Sequence, residues 1–320
     1  MLDDAAVAFH VRTGWDLPVT GVRYLAIGLD ADARAYEAPT VTGERYFVKV
    51  RAVPAGPAAA LVPRHLRRCG ITAVVAPLDS VAGTPWLTTD DGHQLLVYPF
   101  VAGSNGWDTG LSDAQWLEYG GFLAALHATE VPPDLAVHLD AERFDPPSLR
   151  RLAALMARLD EAPRTPTQQE LIPLWRTHER RIADLAARTA ALLDRVRTKR
   201  PPHVLCHTDI HTGNVLLDPA GGLSIVDWDA PLLAPRERDL MFVLGGPWSE
   251  HPVTPRQEGL FWRAYGAVEV DRAVLDYYLN ERVLDDIEQF ARRILSNGDD
   301  VDEETRQVDL YWLKRNLEEL

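Results

Sequence analysis

Between residues 21 and 50 apolar positions alternate with polar ones and break once, which predicts two strands with a loop between them. The end of that stretch, Tyr46-Phe47-Val48-Lys49-Val50, is strand by composition. Helical spacing takes over at 57–69 and stops at Gly70. Further strands are expected near 73–76, 86–88 and 94–100, after which Val97-Tyr98-Pro99-Phe100-Val101-Ala102-Gly103 reads as a strand running out into a linker. Beyond residue 110 the spacing is helical. Ser112 can cap a helix running to His127, with Ser-Asp-Ala-Gln as a capping box. Helical periodicity returns at 147–160 and 167–198, and again at 255–268, 271–297 and 301–318. A strand-rich lobe over 1–101 and a larger helical lobe over 102–320 follow from this division. No internal repeat or low-complexity tract interrupts it.

One stretch carries chemistry. His207-Thr208-Asp209-Ile210-His211-Thr212-Gly213-Asn214 precedes the apolar Val215-Leu216-Leu217, and Leu223-Ser224-Ile225 lies beyond the turn Asp218-Pro219-Ala220-Gly221-Gly222. Two short strands about that turn make a hairpin, which returns Asp227 to the neighbourhood of Asn214. Phosphoryl transfer needs a carboxylate to orient the attacking hydroxyl, and an Asn and an Asp to hold magnesium on the nucleotide phosphates. Asp209, Asn214 and Asp227 supply those groups at suitable spacing.

Composition adds limits. A chain of 320 residues can bury a substantial core and form two lobes. No apolar run approaches the ~20 residues that span a bilayer. Met1-Leu2-Asp3-Asp4 lacks the layout of a signal peptide, and two cysteines, Cys69 and Cys206, make neither a disulfide framework nor a zinc site, so a cytoplasmic location is expected. The net charge of -14 argues against nucleic acid and anionic membranes as partners and suits a cationic small molecule, although acidity also simply favours solubility.

Only three of the 33 basic residues are lysine, at 49, 199 and 314. Where arginine is the default, Lys49 in an apolar strand stands out. An ammonium there suits nucleotide phosphates, the alternative being a surface lysine on an edge strand. In the linker, Tyr98, Pro99 and Val101 are the expected adenine site. Pro99 would supply a carbonyl, where a proline loses nothing, and Val101 an N–H. Gly28-Leu29-Asp30-Ala31-Asp32-Ala33 is the candidate phosphate-covering turn, with Asp30 and Asp32 expected to point away from phosphate.

These motifs, together with Leu95-Leu96-Val97-Tyr98-Pro99-Phe100, Ala234-Pro235-Arg236-Glu237-Arg238-Asp239-Leu240-Met241-Phe242 and Tyr277-Tyr278-Leu279-Asn280-Glu281-Arg282-Val283, resemble the aminoglycoside phosphotransferase family over nearly the whole chain. Within it they are most similar to the spectinomycin phosphotransferases. The resemblance implies an α+β, two-lobed protein-kinase-like fold, with an N-terminal antiparallel sheet lobe and a larger helical C-terminal lobe. It implies an enzyme that uses ATP and Mg2+ to phosphorylate a hydroxyl of a small cationic antibiotic. Asp209 would be the catalytic base, Asn214 and Asp227 the magnesium ligands and Lys49 the phosphate-binding lysine. His207 and Asp239 would support the catalytic loop. Asp229 is either a partner of a metal ligand or a cap on the following segment, and His211 can order the loop by hydrogen bonding.

One departure stands out: kinase-like sites pair the strand lysine with a Glu on the next helix, yet residues 50–78 contain no Asp or Glu. Three alternatives remain: Asp227 and phosphate alone hold Lys49, Glu37 substitutes, or nucleotide binding is impaired. On the substrate side, Tyr277, Tyr278, Glu281, Arg282, Asp285, Asp286 and Glu288 offer carboxylates and flat surfaces, or else form a solvated acidic helix face. Trp107 can flank the cleft, whereas Trp262 and Tyr265 read as core. Other acceptors, and a nucleotide-binding pseudokinase without turnover, are the competing readings.

Overall fold

Lys49 sits in the middle strand of an antiparallel sheet, and the rest of the fold is built outward from there. The structure, a computed structural model, describes residues 2–27, 32–245, 251–296, 301–318 and 320. Most of the candidate phosphate-covering turn, residues 28–31, lies outside the described residues. In chain order the elements are α1 (Asp4–Trp15), β1 (Arg23–Leu25), β2 (Ala33–Pro39), β3 (Arg45–Arg51), α2 (Ala58–Arg68), β4 (Leu87–Thr88), β5 (Gln94–Pro99), β6 (Ser104–Asn105), α3 (Gly106–Thr109), α4 (Asp113–His127), α5 (Pro133–Ala136), α6 (Pro147–Arg158) and α7 (Pro166–Lys199). There follow β7 (Val204–Cys206), a 3-10 turn at Thr212–Asn214, β8 (Val215–Leu217), β9 (Leu223–Ile225), β10 (Leu232–Ala234), α8 (Glu237–Leu244), α9 (Pro255–Tyr265), α10 (Arg272–Ile294) and α11 (Glu303–Glu318). An antiparallel sheet near the N-terminus followed by mostly helical chain makes this the α+β fold expected.

The chain separates into two compact units. The first comprises Met1–Ala141, His203–Asp239 and Ser249–Ala267. It contains the five-stranded sheet, in the order β1-β2-β3-β5-β4. Alternation along β3 decides what each face does. Val48 and Val50 point into a core with Leu95 and Val97 of β5 and with Tyr36 and Ala38 of β2. Lys49 and Arg51 take the opposite face, with Lys49 opposite Ala35 on one neighbour and Leu96 on the other. Helix α1 closes the apolar face with Val7, Val11 and Trp15, each worth roughly 1.5–3 kcal/mol of burial. Asp3 caps it by accepting from the Ala6 N–H at 2.8 Å.

Glu37 shares the Lys49 face of the sheet but is held by other cations, while Lys49 pairs with Asp227 and Asp229, so the suggestion that Glu37 substitutes for the missing helix carboxylate fails. It lies on β2 opposite Phe47 and Arg23, and forms ion pairs with Arg23 and, at 3.2 Å, with Arg45. The hydrogen bond from Arg23, helped by that from Arg45, outweighs burial and holds the Glu37 carboxyl below its usual range. Glu37→Gln should lower stability by about 1 kcal/mol, a modest figure because both arginines are partly in water. A folded pKa that is lowered contributes stability above the unfolded value and loses it as pH falls through the folded one. The difference between variant and parent, measured by urea unfolding, is therefore expected in full above about pH 4.5 and should shrink below it.

Three strands, not two, occupy the 21–50 stretch, because β1 forms a short extra edge. Residues 73–76 are not a strand: Val74 makes a single parallel bridge to Ile225. The hairpin expected around 218–222 is present, with Val215 opposite Ile225 and Leu217 opposite Leu223. A third strand, β6, joins it with Ser104 opposite Leu217. Glycine is required just before β6: a Cβ at Gly103, whose φ is +151°, would lie 2.0 Å from the Leu217 carbonyl oxygen. The capping box at Ser112 and Gln115 starts α4 as predicted.

The second unit comprises Glu142–Pro202, Leu240–Trp248 and Val268–Leu320. Its core joins Leu171, Trp175 and Ile182 of α7 to Leu284, Ile287 and Ala291 of α10 and Leu310 and Leu313 of α11. This packing explains a correction. Tyr277, Tyr278, Glu281 and Glu288 of α10 are buried rather than presented on a solvated face. The Tyr278 hydroxyl donates to Glu142 at 3.2 Å, and Glu288 pairs with Arg292 at 3.1 Å. Arg282 and Asp286 pair along the helix at 3.0 Å.

Candidate active site

The loop between β7 and β8 owes its shape to one buried carboxylate. Asp239, fully buried, accepts from the His207 N–H at 2.9 Å and the Thr208 N–H at 2.7 Å. Those bonds hold Thr208 at φ +76°, a left-handed conformation unfavourable for a β-branched residue. The Thr208 hydroxyl donates to the Ala230 carbonyl at 2.9 Å. Burial pushes the Asp239 carboxyl up, but the hydrogen bond and charge of His127, with the bond from the His207 N–H, outweigh it and hold the pKa below its usual value. His127 is itself satisfied on both sides, at 3.2 Å from Asp239 and 2.7 Å from the Tyr265 hydroxyl. Burial, then the Asp239 charge, pushes the neighbouring Cys206 thiol well up. Tyr265, His127 and Asp239 thus form a hydrogen-bonded chain supporting the loop, while the Cys206 Sγ lies 3.5 Å from the Ala234 carbonyl. Tyr265 is core, as read.

His207 extends the support. Its Nδ1 accepts from the Asp209 N–H at 3.3 Å, so its Nε2 carries the proton and donates to the Val226 carbonyl at 2.9 Å. Its ring lies 4.4 Å from that of Trp228. The Tyr119 hydroxyl pins the loop from below by donating to the Ile210 carbonyl at 2.7 Å. The bonds to Asp239, Tyr119 and His207 Nδ1 use the backbone of the loop, and the Asp209 side chain, its Oδ2 3.8 Å from His211 Nε2, remains 40 % exposed.

Asn214 is oriented with comparable economy. Its Nδ2 donates to the Asp209 carbonyl at 2.8 Å, which leaves Oδ1 as the outward acceptor. The Val226 N–H donates to the Asn214 carbonyl at 3.1 Å, so the hairpin does bring Asp227 back beside Asn214. Asp227 adopts φ +65°, which an aspartate tolerates better than most side chains. His211 orders the turn, its Nδ1 accepting from the Gly213 N–H at 3.0 Å. The Trp107 ring meets His211 edge-on at 6.1 Å.

From the sheet, Lys49 reaches this hairpin. Its Nζ lies 2.7 Å from Asp227 Oδ1 and 2.7 Å from Asp229 Oδ2. Burial would lower the Lys49 pKa, but the two carboxylates outweigh it and raise it above the usual value. Asp229 is therefore an ion-pair partner of Lys49, a role sequence reasoning did not give it. Nor did that reasoning name Arg51, whose Nη1 lies 2.6 Å from the same Asp229 oxygen. The signal was available, since Arg51 follows Lys49 by two residues and so shares its face.

The linker geometry follows from register. Phe100 N–H donates to the Arg45 carbonyl, which makes Tyr46 and Pro99 a non-hydrogen-bonded pair. The Pro99 carbonyl accordingly points away from β3, on the side where the Val97 carbonyl accepts from Leu78 at 2.8 Å. Val101 lies two residues further along. Tyr98 is on the Lys49 side of the register, and its hydroxyl pKa is raised by burial and then by Asp229 and Asp227. These groups suit a nucleotide and a divalent cation: an outward amide oxygen, a partly exposed carboxylate, an ammonium and a backbone carbonyl.

Residues 23–278 match the family described as the phosphotransferase enzyme family. An aminoglycoside 3'-phosphotransferase of Streptomyces fradiae is 34 % identical over 145 residues, 42 % of this chain. That match spans about half of the relative's length, 50 %. Among solved structures, a spectinomycin phosphotransferase in complex with ADP and spectinomycin superposes with a TM-score of 0.87 at 24 % identity, covering 99 % of this chain and 97 % of the other. A choline kinase from Streptococcus pneumoniae gives a TM-score of 0.60 at 14 % identity, with 99 % of each chain covered. At such identities the likeness is one of fold.

Proposed function

This chain belongs to the phosphotransferase enzyme family, and from that premise we infer that it transfers the γ-phosphoryl group of ATP to a hydroxyl of a small cationic antibiotic, spectinomycin first. The observation that carries the reading is the junction of Lys49 with the hairpin. The ammonium touches Asp227, and Asp227 follows the residue hydrogen-bonded to Asn214. Residues 1–101 would form the nucleotide-binding lobe and 102–320 the lobe with the catalytic loop and acceptor site. In this reading Pro99 and Val101 take the adenine, with Tyr98 beside them, and Lys49 takes the phosphates. Asn214 Oδ1 and the Asp227 carboxylate would hold magnesium, which supplies neutralisation of the phosphate charge. Asp209 accepts a hydrogen bond from the acceptor hydroxyl and takes its proton as the hydroxyl oxygen bonds to the γ-phosphorus, and ADP departs with the bridging oxygen.

The name of the spectinomycin phosphotransferase suggests the first acceptor to try, and the net charge of -14 suits it. Choline, named for another similar structure, is likewise a cation with a hydroxyl, so a small amino alcohol is the second acceptor. The test is ADP release from Mg-ATP with and without spectinomycin, with mass spectrometry of the product. The expected result is drug-dependent ADP and a product heavier by one phosphoryl group. ADP release with an amino alcohol alone would move the assignment to a metabolite. ATP binding without turnover on any cationic acceptor would leave a nucleotide-binding pseudokinase.

A further inference from the structure

Two cations contend for one oxygen beside the hairpin. Asp229 Oδ2 is 2.7 Å from Lys49 Nζ and 2.6 Å from Arg51 Nη1. Resting on the phosphotransferase reading, we propose that Arg51 is a positioning residue for Lys49: by neutralising Asp229 it keeps that carboxylate from retaining Lys49, so the ammonium is free to move to nucleotide phosphate.

The argument starts from the strand. Residues two apart on β3 share a face, so Lys49 and Arg51 project together toward Asp229. They are similarly covered, with 15 % and 14 % of their side chains exposed. Arg51 is further fixed by its Nε, which donates to the Val53 carbonyl at 3.2 Å. A guanidinium held at a second point is a preset partner, whereas the lysine stem is flexible and can turn to another anion. Helix α2, where a carboxylate partner for the strand lysine would ordinarily sit, has none in its sequence Ala-Ala-Ala-Leu-Val-Pro-Arg-His-Leu-Arg-Arg. The anchoring carboxylates therefore come from the hairpin, and one of them, Asp227, is a group a divalent cation would engage.

Charge bookkeeping then decides the outcome. Among the described ion pairs, two carboxylates meet two cations while Lys49 rests between Asp227 and Asp229. If a metal engaged Asp227, Asp229 would be the remaining carboxylate on Lys49 among the described ion pairs, and Asp229 already carries the Arg51 charge. Without Arg51, Asp229 would face Lys49 alone as a full opposite charge at contact distance, and phosphate would have to compete with it.

The test uses the full chain and reads binding rather than turnover. Calorimetric Kd values for Mg-ADP and for adenosine are compared across the parent, Arg51→Gln, Asp229→Asn and the double variant, with the Tm of each. Arg51→Gln is expected to weaken Mg-ADP about tenfold, the scale of one charge-assisted contact, with adenosine affinity unchanged. Adding Asp229→Asn should restore Mg-ADP binding to within about threefold, because the retaining charge is gone. A structural role for Arg51 would weaken both ligands, lower Tm, and show no rescue, which overturns the proposal. An unchanged Mg-ADP Kd in Arg51→Gln overturns it too. If the parent binds Mg-ADP, either failure is confined to Arg51; a parent that binds neither ligand removes the nucleotide reading and this proposal together.

Discussion

Asp209→Asn is expected to lower kcat by about 10²- to 10⁴-fold while leaving the loop and nucleotide binding intact. The reason lies in which atoms build the loop. Asp209 contributes its N–H to His207 Nδ1 and its carbonyl to Asn214 Nδ2, and both survive the substitution. The carboxylate is 40 % exposed and is the group the inferred mechanism asks to receive a proton. An asparagine of equal size cannot receive it. Steady-state kinetics with the identified acceptor, alongside the Mg-ADP Kd and Tm, separate the possibilities. Turnover close to the parent's would remove Asp209 from the chemistry. A parallel collapse of kcat, Kd and Tm would mean the side chain is structural.

The second large effect concerns stability. Asp239→Ala should cost about 3–5 kcal/mol, because it strips the acceptor from two N–H groups buried at the start of the loop and from His127. Thr208 would lose the bond that keeps it at φ +76°, so the path of the chain into Asp209 should change as well. Asp239→Asn retains one acceptor oxygen but turns an amide donor toward the other donors, and an intermediate loss is expected. Urea unfolding measures both. The Asp239 contribution should be full above about pH 4 and fade as pH falls through its lowered pKa, since protonation removes the same acceptor charge. A loss under about 1 kcal/mol in the alanine variant would show that the loop does not depend on this anchor.

Much of the architecture was legible because it is local. Alternation around Val48 and Val50, the turn at 218–222 and the Ser112 cap are each decided by residues close in sequence, and each appears as read. Helix α1 is poorly marked in the sequence, because its apolar stripe of Val7, Val11 and Trp15 is narrow and is set among polar and small residues. The strand at 73–76 failed for another reason: apolar composition there serves a single bridge to Ile225, not a ladder. Around the site, residue types along a short loop pointed to Asp209 and Asn214. The partners of Lys49 were not fully legible, since Asp229 lies 180 residues away and reaches it only through the fold. Acidic residues on α10 misled in the opposite direction. Glu281 and Glu288 look solvent-facing by charge, yet they are buried where the helices of their unit pack.

The two-faced character of β3 has a consequence for how this gene can change length. Val48 and Val50 serve the core, while Lys49 and Arg51 serve the hairpin. Deleting or inserting a single codon within 46–51 would exchange the two sets, sending charges into the apolar face and valines toward Asp227 and Asp229. Removing two codons would preserve the faces but withdraw the ammonium by roughly 7 Å. Length variation should therefore be tolerated at turns such as 41–43 and 90–92 and purged from this strand, and a library of single-codon deletions scored for soluble folded protein and Mg-ADP binding would display that contrast directly.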